Sequence, residues 1–181
     1  MKLETIARIF VILLVALSGM AGARFAWAAS TTTSHQVAIQ IPQVLSVTAD
    51  ISGFTLTLND FVKSSSSNVQ TIQYTVKSNA NAAAAGATIM KAKLGTLFQS
   101  VDLLAQTGTY VKQGGNASLT AAAAGQVTIL TADTGLAKKV VDSGNGRILF
   151  GTIPVQYQAL AQADLGAGTQ TATLTVTFSD I

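Results

Sequence analysis

From residue 36 to residue 51 the apolar side chains fall on odd positions: Val37, Ile39, Ile41, Leu45, Val47, Ala49 and Ile51. An apolar residue at every second position is the mark of a strand with one covered face. Pro42 interrupts the run. Proline has no N–H to give to a ladder, so it marks an edge, a bulge or a change of partner. The pattern therefore divides into an extended arm over residues 37–41 and a folded domain that starts near Gln43.

The same alternation recurs down the chain. Phe54, Leu56 and Leu58 alternate with Thr55 and Thr57, which predicts a second strand. Ile72, Tyr74 and Val76 alternate with Thr71, Gln73, Thr75 and Lys77 in a third. Residues 87–97 read as a strand, residues 100–105 as either a short helix or a strand, and residues 110–111 and 118–120 as short strands around Gly114-Gly115. Residues 126–131, 138–141, 147–150 and 152–158 follow as strands, separated by turns rich in Gly, Asp, Asn and Ser. Two alanine–glycine stretches, residues 79–86 and 121–125, read as loops; one helical turn is an alternative for the first on alanine propensity. Residues 159–164 are expected to form a single helical turn. The last strand is the cleanest, with Ala172, Leu174, Val176 and Phe178 on one face and Thr171, Thr173, Thr175 and Thr177 on the other. Many short alternating strands with little helix predict an all-β sandwich or barrel.

The beginning of the chain changes the picture of charge. Lys2 and Arg8 precede the nine-residue apolar run at residues 9–17, and Ala26-Trp-Ala28 fits a small-residue cleavage site. Together these read as a secretory signal peptide over residues 1–28. The run falls short of the ~20 apolar residues of a spanning helix. Removing it leaves 153 residues with eight basic and seven acidic side chains, every acidic one an aspartate. The high isoelectric point is then mostly a property of the leader and gives no reason to expect a nucleic-acid partner. The length suits one domain. The chain has no cysteine, so its core has to hold without disulfides. The sparse charge suits a surface that sits against neighbours, and equally a composition bias of a cell envelope or a hot environment.

Little in the chain points to catalysis. His35 is the only histidine and lies in a polar stretch beside the expected cleavage site; a zinc site or a triad needs several such groups together. Asp133-Thr-Gly135 and Asp142-Ser-Gly144 resemble aspartic-protease signatures, but that chemistry needs two carboxylates sharing a proton at close range. These two lie at opposite ends of one short strand and read as turns. Asn116-Ala-Ser118 matches a glycosylation sequon of low specificity. The aspartates do not have calcium-loop spacing. No catalytic residue, metal ligand, cofactor or small-molecule substrate is therefore expected.

The layout of leader, alternating arm (Val37, Ile39, Ile41), cysteine-free domain and threonine-rich final strand (residues 171–178) resembles that of chaperone–usher-type pilins and related donor-strand surface filament subunits. The resemblance implies an immunoglobulin-like, pilin-like β-sandwich over residues 43–181 with an N-terminal donor-strand arm over residues 29–42. In such families the domain lacks one strand, and the arm of the next copy fills the gap. Val37, Ile39 and Ile41 would then be the inserted side chains, and Ala172, Leu174, Val176 and Phe178 would wall the groove. The implied product is an extracellular head-to-tail homopolymer, a pilus or fimbria at the cell surface, with a periplasmic chaperone and an outer-membrane usher as assembly partners. The chain ends Ser179-Asp180-Ile181 and does not carry the penultimate tyrosine of many such pilins, which weakens the chaperone route more than the assembly. The competing expectation is a secreted monomeric β-sandwich that binds glycans or surfaces. In that case residues 37–41 are an intrinsic strand. A secreted enzyme ranks last.

Overall fold

The structure is a computed structural model that describes residues 36–80 and 83–180. The expected signal peptide and His35 lie outside the described residues. The chain divides into two compact units, Met1–Gln40 and Ile41–Ile181. Of the first, the described residues 36–40 have no regular secondary structure and are exposed.

The second unit is all β, with ten strands and, among the described residues, no helix. They are β1 (Leu45–Ala49), β2 (Gln70–Ser78), β3 (Thr88–Leu94), β4 (Val101–Thr107), β5 (Val111–Gly115), β6 (Ala117–Ala121), β7 (Val127–Thr128), β8 (Thr134–Val141), β9 (Leu149–Ala161) and β10 (Leu174–Phe178). Every pairing is antiparallel. One sheet runs β1-β2-β9-β4-β7, with β5 also on β9; the other runs β10-β3-β8-β6. Their inner faces meet in one core. β2 supplies Ile72, Tyr74 and Val76, β9 supplies Ile153, Val155 and Tyr157, β4 supplies Leu103, and the second sheet supplies Met90, Leu94, Leu119 and Leu136. Ile72, Tyr74 and Val76 are the alternate positions that the sequence pattern picks out. β3 departs from strict alternation: Ile89 and Met90 are both buried because the register to β8 slips on either side of Met90.

β9 is the spine of the first sheet. β2 covers one edge over Leu149–Tyr157, and β4 and β5 share the other. The sequence reads this stretch as two strands and then a helical turn at residues 159–164. The structure corrects both expectations. Gly151 continues the strand, because only a residue without a side chain leaves room there for the Val111 carbonyl and the Tyr110 ring. Ala159 and Ala161 are ladder residues: Val101, Asp102 and Leu103 pair with Ala161, Leu160 and Ala159. On the other side Ser67 N and Ser64 N donate to the Ala159 and Ala161 carbonyls. Tertiary pairing outweighs the weak helical preference of alanine. Pro154 is tolerated inside β9 because it faces the junction of β4 and β5, where Gly108 N donates to its carbonyl at 2.8 Å.

Four further readings shift. The stretch read as a short helix or a strand is strand from Val101 to Thr107. The strand expected over residues 126–131 pairs only at Val127–Thr128. Asp133-Thr-Gly135 is not a free turn, since Thr134 and Gly135 already belong to β8. Residues 54–58 keep the predicted alternation, with Phe54, Leu56 and Leu58 half-buried and their neighbours exposed, but join no ladder.

Candidate functional site

β1 and β10 are the outermost strands on one flank of the sandwich, in different sheets. Their hydrogen bonding shows which main-chain groups remain open. Asn79 N donates to Val44 O and Asp50 N to Gln73 O, so even-numbered residues carry the ladder from this stretch to β2. The N–H and C=O groups of Leu45, Val47 and Ala49 point the other way. On β10, Thr173 O accepts from Gly95 N and Ser179 N donates to Ile89 O, so odd-numbered residues carry the ladder to β3. The N–H and C=O groups of Leu174 and Val176 then point away from β3. Among the described residues no further strand pairs with either edge.

Between these edges the sandwich is open. A groove of about 1530 Å³ runs along the flank, larger than the ~300–1,000 Å³ of an ordinary small-molecule cleft. Val47, Ala49 and Ile51, continued by Phe54 and Leu56, form one wall; Ala172, Leu174 and Val176 form the other. Ile72, Tyr74, Leu94 and Leu103 lie beneath. Phe54 stacks on Tyr157, with ring centroids 5.2 Å apart, and the Tyr157 and Tyr74 hydroxyls are 3.0 Å apart. Burial raises the pKa of both phenols, Tyr157 the more strongly, so the floor carries no charge near neutral pH. Two ties hold the segment before β10. Leu165 N donates to Phe61 O, and the Gln170 side chain accepts from Gln99 N and donates to Gln99 O.

Three of the four expected wall residues, Ala172, Leu174 and Val176, line this groove. Phe178 does not. It is buried in the main core opposite Met90, at the bulged end of β3. The opposite wall was not singled out in the sequence, although Phe54, Leu56 and Leu58 carried a signal: an alternating run that pairs with nothing. Val37, Ile39 and Ile41 are 79%, 83% and 78% exposed.

The polar groups elsewhere do not assemble a reaction centre. Asp133 and Asp142 flank β8 at opposite ends. Asp133 lies 3.9 Å from Lys91. Asp142 accepts from Lys112 Nζ at 2.8 Å and Ser118 Oγ at 2.6 Å, and these bonds hold its carboxyl below the usual range. Ser118 of the sequon is thus engaged in this pair, while the Asn116 side chain accepts from Ile148 N. Among the described residues no three His, Cys, Asp or Glu side chains lie close enough together to hold a metal. The Tyr110 hydroxyl is buried without a partner, and burial pushes its pKa up to about 12. Lys139, Asp180 and Ser78 form a fully enclosed polar cluster: Lys139 Nζ donates to Asp180 Oδ1 at 2.6 Å, and Ser78 Oγ donates to Asp180 Oδ2 at 2.7 Å. No family model, curated protein or solved structure matches this chain.

Proposed function

We propose that this chain is the structural subunit of an extracellular filament, exported by its N-terminal leader and assembled head to tail, residues 29–42 of one copy filling the groove of the next. One observation carries the reading. A single chain holds both a groove with hydrophobic side chains on two walls and two open main-chain edges, and an exposed segment, residues 37–41, whose sequence has the matching two-residue period. An inserted strand gains main-chain hydrogen bonds from such an edge and places alternate side chains in the groove. Here four of the residues with open main-chain groups (Val47, Ala49, Leu174, Val176) also line the groove. Insertion of this kind joins two different surfaces and does not close on itself, so it builds a fibre. It also covers edges that otherwise invite unspecific pairing.

The role is structural, with no catalytic residue, metal or cofactor. The competing reading, a monomeric glycan- or surface-binding sandwich, would gain from a row of exposed aromatic rings. Among the described residues the large exposed hydrophobics include a single ring, Phe61. The test is negative-stain electron microscopy of residues 29–181 beside a shortened chain that starts at Gln43. Filaments from the first and folded monomers from the second support the proposal. Single particles from the first, with the second unfolded, would make residues 37–41 an intrinsic strand and leave the binding module as the better reading.

A further inference from the structure

Lysine and aspartate are rarely fully enclosed, yet the side chains of Lys139 and Asp180 are both 0% exposed. Lys139 projects inward from β8, in the middle of the second sheet. Asp180 follows β10, and Ser78 is the last residue of β2 in the other sheet. Three separate parts of the fold thus meet at one carboxyl group. Holding this pair as ions is costly, because two charges leave water and their attraction returns only part of the loss. Both carboxylate oxygens are already engaged, one by the amine and one by the hydroxyl.

From this geometry we propose that Lys139 and Asp180 condense to an intramolecular isopeptide bond. The bond forms between Nζ and the Asp180 side-chain carbonyl carbon, and the bond from that carbon to Oδ1 breaks. The ammonium brings three protons. The amide nitrogen keeps one, and two pass to Oδ1, which departs as water. The two opposite charges cancel, so the pair supplies every atom and proton and no oxidant, reductant or activating group is needed. Ser78 Oγ–H, already bonded to Oδ2, faces the oxygen on which negative charge develops as the nitrogen adds, the arrangement that stabilises such an intermediate. In free solution amide formation from an acid and an amine is unfavourable. Enclosure changes the balance: effective molarities for well-oriented groups reach about 10⁵–10⁸ M, the released water leaves a dry site, and two buried charges become one neutral amide. The product joins β8 to the tail of β10, an edge strand that pairs on one side only. In a chain without cysteine this supplies a covalent tie that needs no oxidising compartment.

Intact-mass spectrometry of the purified, folded protein decides the question. The expected mass is lower than the sequence mass by one water. A protease digest should contain one branched peptide carrying both residue 139 and residue 180, resistant to hydroxylamine, which opens cyclic imides formed at aspartate. Lys139→Arg should restore the full mass, and Ser78→Ala should slow closure by about 10²-fold, the scale for loss of one such donor. The wild-type mass is informative even if a variant fails to fold. A wild-type protein that keeps its full mass after prolonged incubation at neutral pH overturns the proposal. So does a water loss that maps elsewhere or persists in Lys139→Arg. Closure of Ser78→Ala at the wild-type rate overturns the role given to the hydroxyl.

Discussion

Ile39 is the most informative residue to change, because it sits at the centre of the arm and is 83% exposed in the single chain. Replacing it leaves the fold of its own domain untouched, so effects on assembly are separable from effects on folding. Ile39→Ala removes three carbons from a side chain that the proposed insertion would bury. At ~0.8 kcal/mol per buried CH₂ the loss is about 2.4 kcal/mol, which weakens insertion about fifty-fold. Ile39→Asp removes the same contact and would set a carboxylate against the hydrophobic walls of the groove at a further cost of several kcal/mol, enough to abolish assembly at any practical concentration. Gln40 has the opposite orientation in the alternation, so Gln40→Ala should change affinity by less than about 0.5 kcal/mol. The assay is fluorescence polarisation of a labelled peptide covering residues 29–42 against the shortened chain that starts at Gln43, with electron microscopy of the full-length variants beside it. Equal binding by the Ile39→Asp and unmodified peptides, or a Gln40 effect as large as that of Ile39, refutes the argument.

The same logic applied to the acceptor predicts that Val176→Asp, half-buried on the groove wall, blocks polymerisation while leaving a folded monomer that still donates its own arm; mixing with wild-type chains should then yield capped, shortened filaments. Tyr110→Phe should raise the melting temperature, because it removes a buried hydroxyl that has no partner and whose desolvation costs about 1–3 kcal/mol. The phenol also makes an alkaline prediction. Its folded pKa is raised from 10.0 to about 12, so its contribution is fully present below pH 10 and is lost as pH rises toward 12; thermal melts across that window should flatten in Tyr110→Phe. Asp142 has the opposite sign: its folded pKa lies below the ordinary aspartate value of 3.8, so its stabilisation is present above that pH and is lost as pH falls below it. Asp142→Asn should remove that part of the acid destabilisation, and added salt should reduce it as well.

Two strands that bury one face were legible from unbroken alternation. β2 and β10 stand where Ile72, Tyr74, Val76 and Leu174, Val176 place them. Less was legible where pairing, not pattern, decides the state. Ala159 and Ala161 are strand because β4 on one side and Ser64 and Ser67 on the other supply hydrogen bonds, and nothing in a run of alanine, leucine and glutamine announces those partners. The reverse holds for Phe54, Leu56 and Leu58. Their alternation is sound, yet no neighbouring edge meets their main chain, so an apparent strand becomes part of a groove wall. Phe178 shows the same limit. It continues the face of Leu174 and Val176, but the bulge in β3 places it in the closed core. Lys139 looked like an ordinary charged strand residue beside Lys138, because no sequence period tells a lysine that meets a buried carboxylate from one that faces water.

The groove and the buried lysine bear on the same strand. β10 is bonded on one side only, to β3, and its open side is a wall of the groove. An edge strand with five residues in its ladder is the element most easily peeled from a sheet, yet in a filament it would carry load passed from one subunit to the next. Two features oppose peeling. An inserted arm would pair with its open main chain and bury Leu174 and Val176, which stabilises β10 only while the arm is in place. Asp180 anchors the strand's far end between Lys139 and Ser78 whether or not the groove is filled. The monomer therefore keeps this wall in position on its own, which would lower the ordering cost of the proposed insertion to that of the arm. Loss of the anchor should consequently slow assembly more than it loosens finished filaments: Lys139→Arg is expected to lengthen the lag before polymerisation while filaments, once formed, keep nearly the wild-type resistance to dissociation. A variant with unchanged lag and fragile filaments would show instead that the anchor acts only after insertion, as a tie under tension.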